Sequence, residues 1–141
     1  MYKQLLSCVL LLGVLCFVGC SGKVKMHGSV KYPDGSPLAK GTVFLSNGMQ
    51  MFQGELTADG SFNIGELSDG DGIPPGSYMI WLAANTTDYE VDPVTEKPTG
   101  KQIKNIVIDP KFENRDTSGL SVVVEAGKSV PLEIVVEKPA K

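Results

Sequence analysis

The chain has 141 residues and a mass of 15.1 kDa, room for one domain and not comfortably for two. Apolar residues make up 42% and charged residues 21%, so a core can form and an acidic disordered tail is excluded. The net charge of -3 excludes a nucleic-acid binder, which carries a basic face.

Residues 1–20 read MYKQLLSCVLLLGVLCFVGC, with Lys3 the only charge and an apolar run from Leu5 to Gly19. That run is shorter than the roughly 20 residues a membrane span needs. A basic start, a short apolar run and small residues at its end read as a secretory signal. Phe17-Val18-Gly19-Cys20 resembles the bacterial lipobox, with Phe17 standing where the family usually has Leu. The resemblance implies a diacylglycerol on the Cys20 sulfur, cleavage before Cys20, and frequent acylation (palmitate, for example) of the new amine. Residues 1–19 are then a lipoprotein signal peptide, 20–23 a lipidated cysteine with a short tether, and 24–138 the domain. Cys8 and Cys16 leave with the signal, so the mature domain holds no disulfide, zinc–thiolate site or cysteine nucleophile. Loss of Lys3 leaves 12 basic against 16 acidic side chains. Lys23, Lys25 and Lys31 follow soon after the anchor and the 85–116 region carries most of the acidic loop residues, which predicts a mildly basic anchor end and an acidic loop end.

From Val24 the pattern alternates with period 2. Val24, Met26, Gly28, Val30 and Tyr32 share one face; Lys25, His27, Ser29 and Lys31 share the other. Pro33–Pro37 (PDGSP) is a turn. Strands are predicted over Gly41–Ser46, with Val43 and Leu45 inward, and Gln50–Thr57, with Phe52 and Leu56 inward. Ala58-Asp59-Gly60 marks a hairpin into Ser61–Ile64, with Phe62 and Ile64 inward. Residues 65–76 are too rich in Gly and Pro for regular structure. Ser77–Ala84 is apolar on both faces, Tyr78, Ile80 and Leu82 opposite Met79, Trp81 and Ala83. That predicts a central strand covered on both sides, or one whose outer face makes a contact. A polar loop follows over 85–101, then short strands at Lys104–Ile108, at Leu120–Glu125 with Leu120, Val122 and Val124 inward, and at Val130–Glu137 with Val130, Leu132, Ile134 and Val136 inward. No stretch after residue 20 carries a helical period. Seven or eight short strands with 16 glycines and 9 prolines predict an all-β, antiparallel sandwich or barrel of Ig-like architecture.

Four markers carry a further resemblance. Val30-Lys31-Tyr32-Pro33-Asp34-Gly35-Ser36-Pro37-Leu38 is similar to the opening hairpin of transthyretin-like, carboxypeptidase regulatory-like domains. Ala58-Asp59-Gly60-Ser61-Phe62 and Gly72-Ile73-Pro74-Pro75-Gly76-Ser77-Tyr78 resemble the second and third markers of that family. Lys111-Phe112 with Thr117-Ser118-Gly119-Leu120 resembles the ending of small bacterial lipoproteins that carry such a domain. The resemblance spans nearly all of 24–137 and implies a prealbumin-like sandwich of about seven strands. It implies no activity, because fold does not fix function.

Catalysis finds little to work with. A zinc peptidase needs two histidines and a carboxylate, and His27 is the only histidine. His27 and Ser29 are same-face strand neighbours without a nucleophile elbow, so no catalytic residue and no cofactor is expected. Asp69-Gly70-Asp71-Gly72, with Glu66 nearby, offers oxygens of the kind calcium takes, without the EF-hand spacing; Asp69 and Asp71 are the candidate metal ligands and a plain turn-rich connection is the alternative. Tyr89 among Asp88, Glu90 and Asp92 is a candidate ligand-binding aromatic, or packs on the rim. Trp81 is a second candidate, with Met79, if its face is uncovered, or else core. Asn85-Thr86-Thr87 fits a glycan sequon that carries no meaning in a bacterium. The expected function is a non-catalytic lipoprotein of the cell envelope, held to the membrane through Cys20, binding an envelope protein or playing a structural part. A carbohydrate-binding module, taking a polysaccharide on exposed aromatics, is the alternative; an accessory domain of an envelope hydrolase system comes third.

Overall fold

Two Asp-Gly turns set the spacing of the first strands. In the computed structural model, which describes residues 22–65, 71–129 and 131–140, Asp34 Oδ1 accepts from the Ser36 amide at 2.9 Å and Gly35 takes φ 85°. At the second turn Asp59 Oδ1 accepts from the Ser61 amide at 3.0 Å and from the hydroxyls of Ser61 and Thr57, with Gly60 at φ 79°. Each carboxylate caps its turn as an Asx motif while glycine supplies the left-handed residue.

The strands in chain order are β1 (Met26–Lys31), β2 (Thr42–Ser46), β3 (Met51–Glu55), β4 (Ser61–Ile64), β5 (Gly76–Ala83), β6 (Thr86–Val91), β7 (Pro98–Asn105), β8 (Leu120–Val124) and β9 (Leu132–Val135). A 3-10 turn covers Pro110–Glu113. The fold is all-β, in three sheets of which none is closed: β4-β1-β9, β3-β2-β5-β8, and a separate ribbon β6-β7. The first two share one core. Val30, Phe62, Ile64 and Ile134 meet Val43, Leu45, Phe52, Tyr78, Ile80, Leu82 and Val124, and Ile73, Ile108, Phe112 and Val136 close it from the connections. Phe52 and Tyr78 pack edge to face at 5.8 Å, and the Tyr78 hydroxyl donates to the Pro74 carbonyl at 2.7 Å. The inward residues of the alternating runs are thus the buried ones. Leu56, Leu120, Val122 and Leu132 sit half-buried at the margins. Val130 lies outside the described residues.

Three expectations need correction. The sheets are not purely antiparallel: β1 pairs with β9 in parallel, Gly28 opposite Leu132 and Val30 opposite Ile134. Gly28 permits it, since a Cβ there would stand 2.1 Å from the Leu132 carbonyl oxygen and 2.7 Å from the Phe62 ring. Residues 85–101 are not a loop but most of the ribbon, and the strand placed at Lys104–Ile108 ends at Asn105. Third, the lysines do not gather at one end. Val24 bridges Ile73 and the Ser129 hydroxyl donates to the Lys25 carbonyl at 2.9 Å, so the chain enters where β5 begins and β8 ends. Lys31 stands at the far end of β1, about 17 Å on, ion-paired with Glu133 at 3.3 Å. β1 also reaches the ribbon end there, where the Tyr32 hydroxyl donates to the Val107 carbonyl at 3.0 Å.

Candidate interaction surfaces

Of the expected site residues, Cys20 and Asp69, with Glu66, lie outside the described residues. Asp71 lies just before the Val24–Ile73 bridge and is half-buried. His27 is exposed on β1, opposite Asn63. Among the described residues no three His, Cys, Asp or Glu side chains gather as a metal site.

Trp81 faces outward. β5 is a central strand whose inner face, Tyr78, Ile80 and Leu82, is buried, while Met79 on the outer face is 44% exposed. β2 buries Val43 and Leu45 and turns Thr42, Phe44 and Ser46 to the outer face. Its Phe44 lies directly opposite Trp81 and the two rings stack with centroids 5.4 Å apart and planes 13° from parallel. Around this pair the register sets Met51 on β3, Met79 on β5 and Val123 on β8, the outer two 59% and 68% exposed. The result is a patch of apolar side chains on the outer face that reaches all four strands, interrupted by Ser46 between Met51 and Met79 and by Ser77 and Ser121 beside Val123, with no layer over it among the described residues. Isolated exposed apolar side chains are ordinary; several gathered on one face make that face the candidate contact surface.

Tyr89 belongs to a different place. It stands 57% exposed on the ribbon, opposite Gln102, and no ring contact joins it to Trp81. An isolated two-stranded ribbon is marginal in water, and this one is held at its base by a polar clamp. Asn85 Oδ1 accepts from the amides of Val107 at 2.8 Å and Ile108 at 3.1 Å. Asn85 Nδ2 donates to the Ile108 carbonyl at 3.1 Å and to Glu113 Oε2 at 2.9 Å. Glu113 Oε1 in turn accepts from the Asn85 amide at 3.0 Å. Both ribbon ends are therefore tied to the 3-10 turn through one half-buried amide. The Asn85 amide of the sequon is thus fully engaged. No sequence signal marked this pair beyond an Asn at the end of an apolar strand. At the ribbon tip Asp92 Oδ1 accepts from the Val94 and Thr95 amides, both at 2.8 Å, and those bonds hold its carboxyl below the usual range.

No family model matches the chain, and no curated protein matches it. Among solved structures, a crystal structure of a 9R-lipoxygenase from Cyanothece PCC8801 is similar, with a TM-score of 0.37 and 11% identity. The match covers 83% of this chain and 16% of the lipoxygenase chain, and at that score it carries no argument. No helix among the described residues is long and apolar enough to cross a membrane.

Proposed function

We propose that the protein is a non-catalytic lipoprotein of the bacterial cell envelope, anchored through lipid on Cys20, whose transthyretin-like sandwich of three and four strands binds a protein partner. The observation that carries the binding role is the uncovered stripe formed by Phe44, Trp81, Met79, Met51 and Val123. Its shape favours a protein over a polysaccharide. A sugar is taken on aromatic faces laid open to solvent, and Phe44 and Trp81 are instead stacked on each other and half-buried. Tyr89 stands apart from them. The stripe is instead a mix of aromatic and methionine side chains, the composition enriched at the centres of protein interfaces.

The anchor reading rests on the lipobox resemblance, and chain direction supports a simple arrangement. The chain enters beside Ile73 and the 125–129 turn, whereas β5 runs away from that end toward the ribbon. A protein tethered at Cys20 then presents its ribbon away from the bilayer. The test is Met79→Asp, which places a charge in the stripe without touching the core. It is expected to leave thermal stability nearly unchanged and to remove the partner from the affinity-purified complex. Retention of the same partner by the variant contradicts the reading.

A further inference from the structure

We propose that the outer edge of β6 is a strand-addition site, taking an extended segment of a partner protein in which basic and apolar side chains alternate. The ribbon belongs to neither large sheet, so among the described residues β6 has β7 on one side and no strand on the other. The two strands differ sharply in how they treat an exposed edge. β7 carries Pro98, Gly100, Lys101 and Lys104, residues that discourage pairing. β6 reads Thr-Thr-Asp-Tyr-Glu-Val, with four strand-favouring residues and no Lys, Pro or Gly. One edge is guarded and the other is open.

The side chains of β6 specify the guest. Asp88 falls on one face and Tyr89 on the other, as the pairing of Asp88 with Ile103 and Tyr89 with Gln102 requires, and the register shifts between Tyr89 and Val91, so the regular edge is Thr86–Tyr89. Glu90 is shared with Lys101 at 3.2 Å. Asp88 has no ion pair or hydrogen bond to its side chain among the described residues. A guest strand therefore meets negative charge on one face and an aromatic ring, 57% exposed, on the other. Basic residues at every second position answer the first and apolar residues between them answer the second. The clamp at Asn85 fixes the ribbon base, so the edge is presented in a set direction rather than searching. This site is separate from the stripe on the four-stranded sheet and does not depend on it.

The experiment measures binding of a capped peptide of alternating lysine and valine, long enough to span β6, to the full-length protein in detergent. Binding is expected at one peptide per protein, weakened by salt, with no binding of the matching glutamate–valine peptide. Methylating alternate peptide amides keeps every charge and removes the ladder hydrogen bonds, and is expected to abolish binding. Asp88→Lys, at an exposed position, is expected to lower affinity at least about tenfold. Binding that survives methylation is plain charge attraction and overturns the proposal, as does no binding of the lysine–valine peptide. Self-association that Asp88→Lys disrupts, without peptide binding, assigns the edge to a second copy and overturns it too.

Discussion

Asp59 shows how much one exposed side chain decides. Its carboxyl is held down to about 2, chiefly by the Ser61 hydroxyl, then by the Thr57 hydroxyl and the Ser61 amide. A carboxyl whose folded pKa lies below its unfolded one stabilises the fold above the unfolded value and loses that contribution as pH falls through the folded one. The relevant window runs from about 4 down to about 2. Unfolding free energy is therefore expected to drop in that window, and Asp59→Asn is expected to flatten the drop, measured by denaturant titration across pH. Asp34, lowered first by the Ser36 hydroxyl, acts in the same direction. Asn85 works through geometry instead. Asn85→Ala leaves the amides of Val107 and Ile108 and part of the Glu113 carboxylate without partners. The expected cost is about 1–3 kcal/mol, with faster tryptic cleavage at Lys101 and Lys104. Cleavage at the wild-type rate would mean that the ribbon is held by something other than the clamp.

At the level of elements, the strands of the core were legible because each buries one face. Phe62 and Ile134 are inward members of alternating runs and are both about 2% exposed. Replacing either with Ala is expected to cost about 2–5 kcal/mol by chemical denaturation. The ribbon was illegible for the converse reason. Residues 86–91 and 98–105 bury nothing, so their alternation is between polar residues, and hydrophobic period cannot separate them from a loop. The parallel pairing of β1 with β9 was hidden too, because strands far apart in sequence leave no turn chemistry to read. The alternation puts Gly28 on one face with Val24, Met26 and Val30, but only the structure shows what it admits. Gly28→Ala pushes a methyl into the Leu132 carbonyl, and β9 has to move. A loss of about 3 kcal/mol or more is expected, with the β9 amides losing hydrogen-exchange protection before those of β2.

For the whole molecule, the two ends and the two faces differ in what they present. At one end Val24 bridges Ile73; the other carries the ribbon. One outer face holds the apolar stripe, while the outer face of the three-stranded sheet shows exposed residues such as His27, Asn63 and Glu133. Trp81 illustrates what a linear reading can reach. Its two-sided strand pointed either to a second covering layer or to a contact, and the choice rested on whether another element lay above it. Phe44, from a strand distant in sequence, completed the stripe and could not be assigned to it beforehand. Anchoring has its own test. Cys20→Ala is expected to leave an uncleaved, unlipidated precursor by intact-mass spectrometry, and normal processing of that variant rejects the lipobox reading.

The binding role itself is tested most directly by photo-crosslinking in intact native cells, with a photoreactive residue at position 79 on the stripe or at position 63 on the opposite sheet. A protein partner seated on the stripe gives a discrete adduct with one envelope protein from position 79 and none from position 63. No adduct from position 79, or the same adducts from both positions, contradicts it.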